Sequence, residues 1–86
     1  MLSAEARHDL LRRMRKIEGQ TQGIQRMLEE ERDCQEVLNQ LASVRAATRR
    51  VSLELARYYV LNCLNNPDCA QGQEAVDDMI KLLLRA

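Results

Sequence analysis

Cys34 and Cys63 are the residues of this chain best equipped to do chemistry, and their 29-residue spacing says where that chemistry can take place. The stretch between them contains no Pro and no Gly and reads as one helix. At about 100° per residue, 29 steps return to within roughly 20° of the starting direction, so both thiols share a face. The rise of about 1.5 Å per residue nevertheless sets them about 43 Å apart along the axis. They cannot meet within one chain. Two copies of the helix packed antiparallel about a midpoint between Thr48 and Arg49 bring Cys34 of one copy beside Cys63 of the other. The spacing therefore points to a two-thiol site that exists only in an oligomer. Two facing thiols can ligate a soft metal, or attack sulfane sulfur and close a disulfide or polysulfide bridge.

The elements that must position these thiols are helices. Among the 86 residues there is no Phe or Trp, two Tyr, one Pro and three Gly, so the apolar content is aliphatic and long stretches carry no helix breaker. A chain this short buries only a modest core, and partner subunits are the expected remedy. The reading is all-α, a single three-helix domain over residues 1–86, with helices at about 4–30, 34–65 and 71–85. In the first, Leu10, Met14, Ile17, Thr21, Ile24 and Leu28 recur at coiled-coil spacing as an apolar seam. His8, Arg12, Arg15 and Lys16 lie on the opposite side, which Gly19 and Gly23 continue. In the second, Asp33 is the expected N-cap and Glu36 the third helical residue, a variant capping box. Val37, Leu38, Leu41, Val44, Thr48, Val51, Leu55, Ala56 and Tyr59 then make a broad apolar face ending at Asn65-Asn66-Pro67. The third helix places Ala75, Val76, Met79, Ile80 and Leu83 on one side.

Charge and cysteine usage narrow the class further. The formal net charge of zero hides a local balance of +3 over residues 1–28 and an acidic run from Glu29 to Glu36. A polyanionic partner responds to that local excess rather than to the total. The three cysteines fit no disulfide framework. With a polar opening, Met1-Leu2-Ser3-Ala4-Glu5, and no apolar run of transmembrane length, the expectation is a cytoplasmic protein without a leader or membrane partner. An enzyme is not expected, because no base and nucleophile lie close in sequence and the one histidine, His8, is far from both cysteines.

Arg13-Met14-Arg15-Lys16-Ile17-Glu18-Gly19-Gln20, followed by Gly23-Ile24 and Arg26-Met27, resembles the first-helix motif of the copper-sensing operon repressor family (CsoR/RcnR type). Asp33-Cys34, Val37-Leu38, Gln40-Leu41 and Val44-Arg45-Ala46-Ala47 continue the likeness, which covers about residues 8–84. The resemblance implies an all-helical homotetramer of antiparallel dimers that binds operator DNA until an inducer releases it. It carries DNA contact onto Arg13 and Arg50, with Arg12, Arg15, Lys16 and Arg49 as neighbours, and inducer sensing onto Cys34 and Cys63. The family's copper sensors place a His four residues before the second Cys, where this chain has Tyr59. A phenol with a pKa near 10 is a poor Cu(I) ligand at neutral pH. At this site the chain resembles the family's persulfide-responsive branch, with Tyr59 as a neighbour whose hydroxyl could hydrogen-bond a thiolate.

The expected function is thus a repressor released when persulfide or polysulfide modifies the Cys34/Cys63 pair, with no cofactor required. One alternative is Cu(I), or another thiophilic metal, held as inducer by the same two sulfurs, with Cys69 as a third. Another is a small sulfur or Cu(I) carrier with no DNA role, which the basic first helix argues against. Arg45, on the apolar face near the cysteines, is expected to pair with a carboxylate in an interface.

Overall fold

Ser3 starts the first helix: its Oγ accepts from the Ala6 N–H at 3.1 Å, and its carbonyl accepts from the Arg7 N–H at 3.0 Å. The first bond satisfies a donor of the first turn that has no partner inside the helix, and the second opens the helical ladder. The computed structural model describes residues 2–65 and 72–85. Its elements are α1 (Ala4–Glu29), α2 (Cys34–Asn65) and α3 (Gly72–Arg85), and the described residues include no strand. The fold is all-α, as the scarcity of Gly and Pro implies. None of these helices is long and apolar enough to cross a membrane.

The α1–α2 turn closes differently from expectation. Glu31 takes a left-handed conformation, φ 54°, and its N–H donates to the Leu28 carbonyl at 3.2 Å. The Arg32 N–H donates to the Met27 carbonyl at 2.9 Å, which completes a Schellman motif with Glu at the position glycine usually holds. The expected capping box does not form. Glu36 turns away from the Asp33 backbone, and its Oε2 accepts from Arg32 Nε at 3.1 Å and Nη2 at 2.8 Å. A guanidinium four residues earlier offers two charge-assisted bonds where the capping box offers one backbone donor.

Helix α2 is the spine. It packs against both α1 and α3, and among the described residues α1 and α3 do not pack on each other. The assembly measures 54 × 27 × 13 Å, close to one helix diameter in its thinnest dimension. Its core is correspondingly thin: Ala6, Leu10, Ile17 and Ile24 of α1 with Val37 of α2. Only every second member of the α1 seam is buried. Leu10, Ile17 and Ile24 face α2, whereas Met14 and Leu28 stay exposed, because a single neighbouring helix covers one line of an apolar stripe and not its full width. On α2, Leu38, Leu41, Leu55 and Tyr59 remain exposed, Leu38 at 64%. Thr48 is exposed too and donates to the Val44 and Arg45 carbonyls at 2.7 and 3.0 Å.

Two substitutions test this account of the hairpin. Ile17→Ala should destabilise the protein by about 2–4 kcal/mol through the cavity it leaves between α1 and α2. Glu31→Gly should stabilise it by about 0.5–1 kcal/mol, because glycine enters the left-handed region without steric cost. Urea unfolding at fixed protein concentration, followed by helical circular dichroism, reads both signs.

Candidate nucleic-acid interface and thiol site

The four-residue connection between α1 and α2 makes them an antiparallel hairpin, so residues far apart in sequence meet across it. Arg12, Arg13 and Lys16 of α1 and Arg50 of α2 rim an open groove of about 470 Å³. Its remaining walls are Ile17, Gln20, Ala46, Ala47 and Val51, with no carboxylate among them. The two alanines set a shallow floor that lets an extended chain approach the backbone of α2. Of the residues expected to contact DNA, four are brought together here. Arg15 is not: one helical step is about 100°, which turns it from the Lys16 side toward His8. Arg49 is also elsewhere, in a second open groove with Leu38, Leu41, Ala42, Arg45 and Ala46. Arg45 lies in that second groove without an ion-pair partner among the described residues.

One participant escapes a reading by helical face alone. Asp9 Oδ1 accepts from Arg12 Nη2 at 3.0 Å, and its Oδ2 accepts from Arg13 Nε at 3.0 Å. The signal was present in the sequence as an acid three and four residues before two arginines, the spacing at which helical side chains meet. These hydrogen bonds from Arg12 and Arg13, reinforced by the charge of both guanidinium groups, hold the Asp9 carboxyl below its ordinary value of 3.8. Arg13 is the more enclosed of the two, with 28% of its side chain accessible against 55% for Arg12.

The thiol end is separate. Cys34 is the first residue of α2, a free and exposed cysteine about 24 Å along the helix from Arg50. Helix α2 runs without a break through the position of Cys63, so the two cysteines belong to opposite ends of one rod. The Cys63 thiol and all of Cys69 lie outside the described residues. Tyr59, one turn before Cys63, lines a third groove of about 340 Å³ with Ser52, Leu55 and Ala56 of α2 and Met79, Leu82 and Leu83 of α3. Within one chain, the described residues hold no group of three or more His, Cys, Asp or Glu side chains able to bind a metal ion.

The described helices thus carry a cation-rimmed groove on one flank and, about 24 Å away along α2, an exposed free thiol. Comparison with known proteins identifies the kind of protein that carries them. A family model described as metal-sensitive transcriptional repressor matches residues 6–85, and the chain belongs to that family. It is 30% identical over 79 residues to the copper-sensing transcriptional repressor CsoR of Bacillus subtilis (strain 168), covering 91% of this chain and 78% of that protein. It is 38% identical over 66 residues to the copper-sensing transcriptional repressor RicR of Mycobacterium tuberculosis (strain H37Rv), covering 77% of this chain and 68% of that one. The chain is thus a transcriptional repressor and not an enzyme, and the carrier alternative falls.

The Asp9 cluster carries a pH dependence with a definite sign. A carboxyl held below its ordinary value contributes stability that is complete above that value and disappears as the pH falls through the lowered one. A carbon-detected NMR titration should place the Asp9 midpoint below 3.8, and Arg12→Ala or Arg13→Ala should move it back up.

Proposed function

We propose that the chain represses transcription as an antiparallel dimer, assembling further to a tetramer, in which Cys34 and the partner's Cys63 form the inducer site. One observation carries this reading. The stripe of α2 that contains both cysteine positions is only half covered by its own chain. Toward the C-terminal end it borders the groove under α3, and toward the N-terminal end it is open at Leu38, Leu41, Ala42, Arg45 and Arg49. Antiparallel pairing about the Thr48–Arg49 midpoint sets Leu38 against the partner's Tyr59, Leu41 against the partner's Ala56 and Ala42 against the partner's Leu55. Each open half then seals the other copy's groove. Arg45 comes opposite the partner's Ser52, a neutral neighbour in place of the carboxylate expected from sequence. The same pairing closes the two-thiol sites at both ends of the dimer.

The groove of Arg12, Arg13, Lys16 and Arg50 is assigned to the operator DNA backbone. Phosphate contacts of this kind give an affinity that falls steeply with salt and leave sequence selection to DNA shape and a few groove contacts. Arg15 lies on an adjoining surface, where a second pair of subunits would present it to the same duplex, whereas Arg49 falls within the paired stripe, opposite the partner's Thr48, and is assigned to the interface.

At the inducer site we favour polysulfide over metal because Tyr59 stands where the resemblance places an imidazole. The Cys34 thiolate attacks a sulfane sulfur; the S–S bond of the polysulfide breaks and a shortened polysulfide leaves with the electron pair. The partner's Cys63 thiolate then attacks Cys34 Sγ, and hydrosulfide leaves. Two thiols are oxidised to a disulfide, and the transferred sulfur is reduced. Such bonds staple both ends of the dimer and shift the basic grooves out of DNA register. The names of the two relatives support a second reading, in which the same thiolates hold Cu(I) linearly as inducer.

Fluorescence anisotropy of the reduced, anaerobic protein on DNA from upstream of its own gene separates the two. Polysulfide should release the DNA and yield a covalent dimer on a non-reducing gel. Cys34→Ser should still bind DNA, and neither respond nor crosslink. Release by Cu(I) but not by polysulfide would establish the metal reading, and a Cys34→Ser protein that crosslinks as wild type does would end the shared-site reading. Arg13→Ala and Arg50→Ala should each weaken DNA binding about tenfold and flatten its salt dependence while leaving the crosslink intact.

A further inference from the structure

The groove lining contains four cations and no carboxylate, yet an ionised Asp9 grips two of those cations from the preceding turn of α1. Two effects of that grip oppose each other. Its negative charge lowers the attraction of the groove for any polyanion. Its hydrogen bonds restrict two long side chains that a phosphate contact would otherwise have to order at the moment of binding.

The geometry favours the second effect on matched DNA. Asp9 Oδ2 takes Arg13 Nε at 3.0 Å and leaves the Nη1/Nη2 end of that guanidinium free. That end presents two parallel donors to a pair of phosphate oxygens. Asp9 Oδ1 takes only Nη2 of Arg12, at 3.0 Å, and leaves its other donors available. Lys16 and Arg50 keep the groove positive, with no ion-pair partner among the described residues. The long-range part of the repulsion is moreover screened beyond about 8–10 Å, whereas the fixed direction of the guanidinium does not depend on salt.

We propose that Asp9 is a positioning residue that aims Arg13 and Arg12 at the DNA backbone, strengthening operator binding while weakening binding to unrelated duplex. The proposal rests on the groove being the DNA face. Two guanidinium groups held by one carboxylate fit a backbone of one local spacing and groove width, so a chain that contacts mainly phosphates can still discriminate by shape.

Anisotropy of the full-length chain on upstream DNA and on a random duplex of equal length tests this across a salt series. Asp9→Asn, with helicity and oligomeric state checked, should bind the upstream DNA about tenfold more weakly, and the random duplex equally well or somewhat more tightly. Asp9→Glu, which restores a carboxylate at the same helical spacing, should recover most of the loss. In an Arg12→Ala/Arg13→Ala background Asp9→Asn should have no effect, since the residue acts through those two side chains. If Asp9→Asn binds upstream DNA as well as wild type or better, or if its loss persists in the double-arginine background, the proposal is overturned. Asp9→Ser is read in the same way should Asp9→Asn lose helicity. Arg50→Ala, which does not touch Asp9, separates the two levels. If it leaves binding intact, the groove is not the DNA face and both readings fall. If it weakens binding while Asp9→Asn does not, only the Asp9 role fails.

Discussion

Helix α2 carries more apolar surface than the rest of its chain can cover. Its 32 residues run from Cys34 to Asn65, and the protein they organise is close to one helix thick. A layer of this kind has no interior, and even its best-buried core residues, Ala6 and Ile17, keep some accessible surface. Full burial of a Leu contributes about 1.5–3 kcal/mol, so half-exposed Leu38, Leu41, Leu55 and Tyr59 leave several kcal/mol per chain unrealised. In an antiparallel pair the two-fold axis would double that sum. The same stripe of α2 contains both cysteine positions, so in the proposed antiparallel dimer assembly and the inducer site would be one problem: whatever seats Leu38 against the partner's Tyr59 would also seat Cys34 against the partner's Cys63.

A rigid rod with its reactive group at one end and its basic groove near the middle places limits on signalling. Cys34 and Arg50 are about 24 Å apart on the same helix. Local electrostatics at the thiols would be screened over that distance. A signal carried from one to the other must therefore move α2 as a body, against its partner or against α1. The thin core suits such motion. Leu10, Ile17 and Ile24 hold α1 to α2 along a single line, around which a small rotation would change the spacing between Arg13 and Arg50 before it broke the hairpin.

The fold was largely legible because helix boundaries depend on local chemistry. Ser3 before an apolar period, an acidic turn ahead of Cys34, and the absence of Pro and Gly over the next thirty residues leave little room for another reading of α1 and α2. What depended on competition between neighbours was not legible. Glu36 has two partners within reach, and a capping box is only the better one when no arginine stands at position 32. Glu31 adopts the glycine conformation with no residue signature, because the helix ends and the packing of α1 on α2 leave no other path for the turn. The groove needed the crossing itself: Arg50 is distant in sequence from Arg13, and only the hairpin shows that Arg12, Arg13 and Lys16 meet it while Arg15 does not. The spacing of the cysteines carried further, since helical periodicity and rise alone place both on one stripe and forbid their meeting.

Tyr59 shows how much a single position decides in such a small protein. Membership of a metal-sensitive family sets the general task, and the two relatives named as copper sensors are similar to this chain at modest identity. At the proposed site of two or three groups, the set of donors would distinguish one inducer from another. Two thiolates can serve a soft cation or a sulfane sulfur. A third, imidazole ligand would tip the balance toward the cation by completing its coordination, and a phenol does not ionise readily enough to do so. In this chain the ring of Tyr59 instead faces Leu55, Ala56 and α3, where it adds apolar area to the groove that an antiparallel partner would fill. In the proposed dimer, the residue that supplies no imidazole to the thiols would thus add apolar area to the interface that brings them together, and two thiolates would be the donors left to meet a sulfane sulfur or Cu(I).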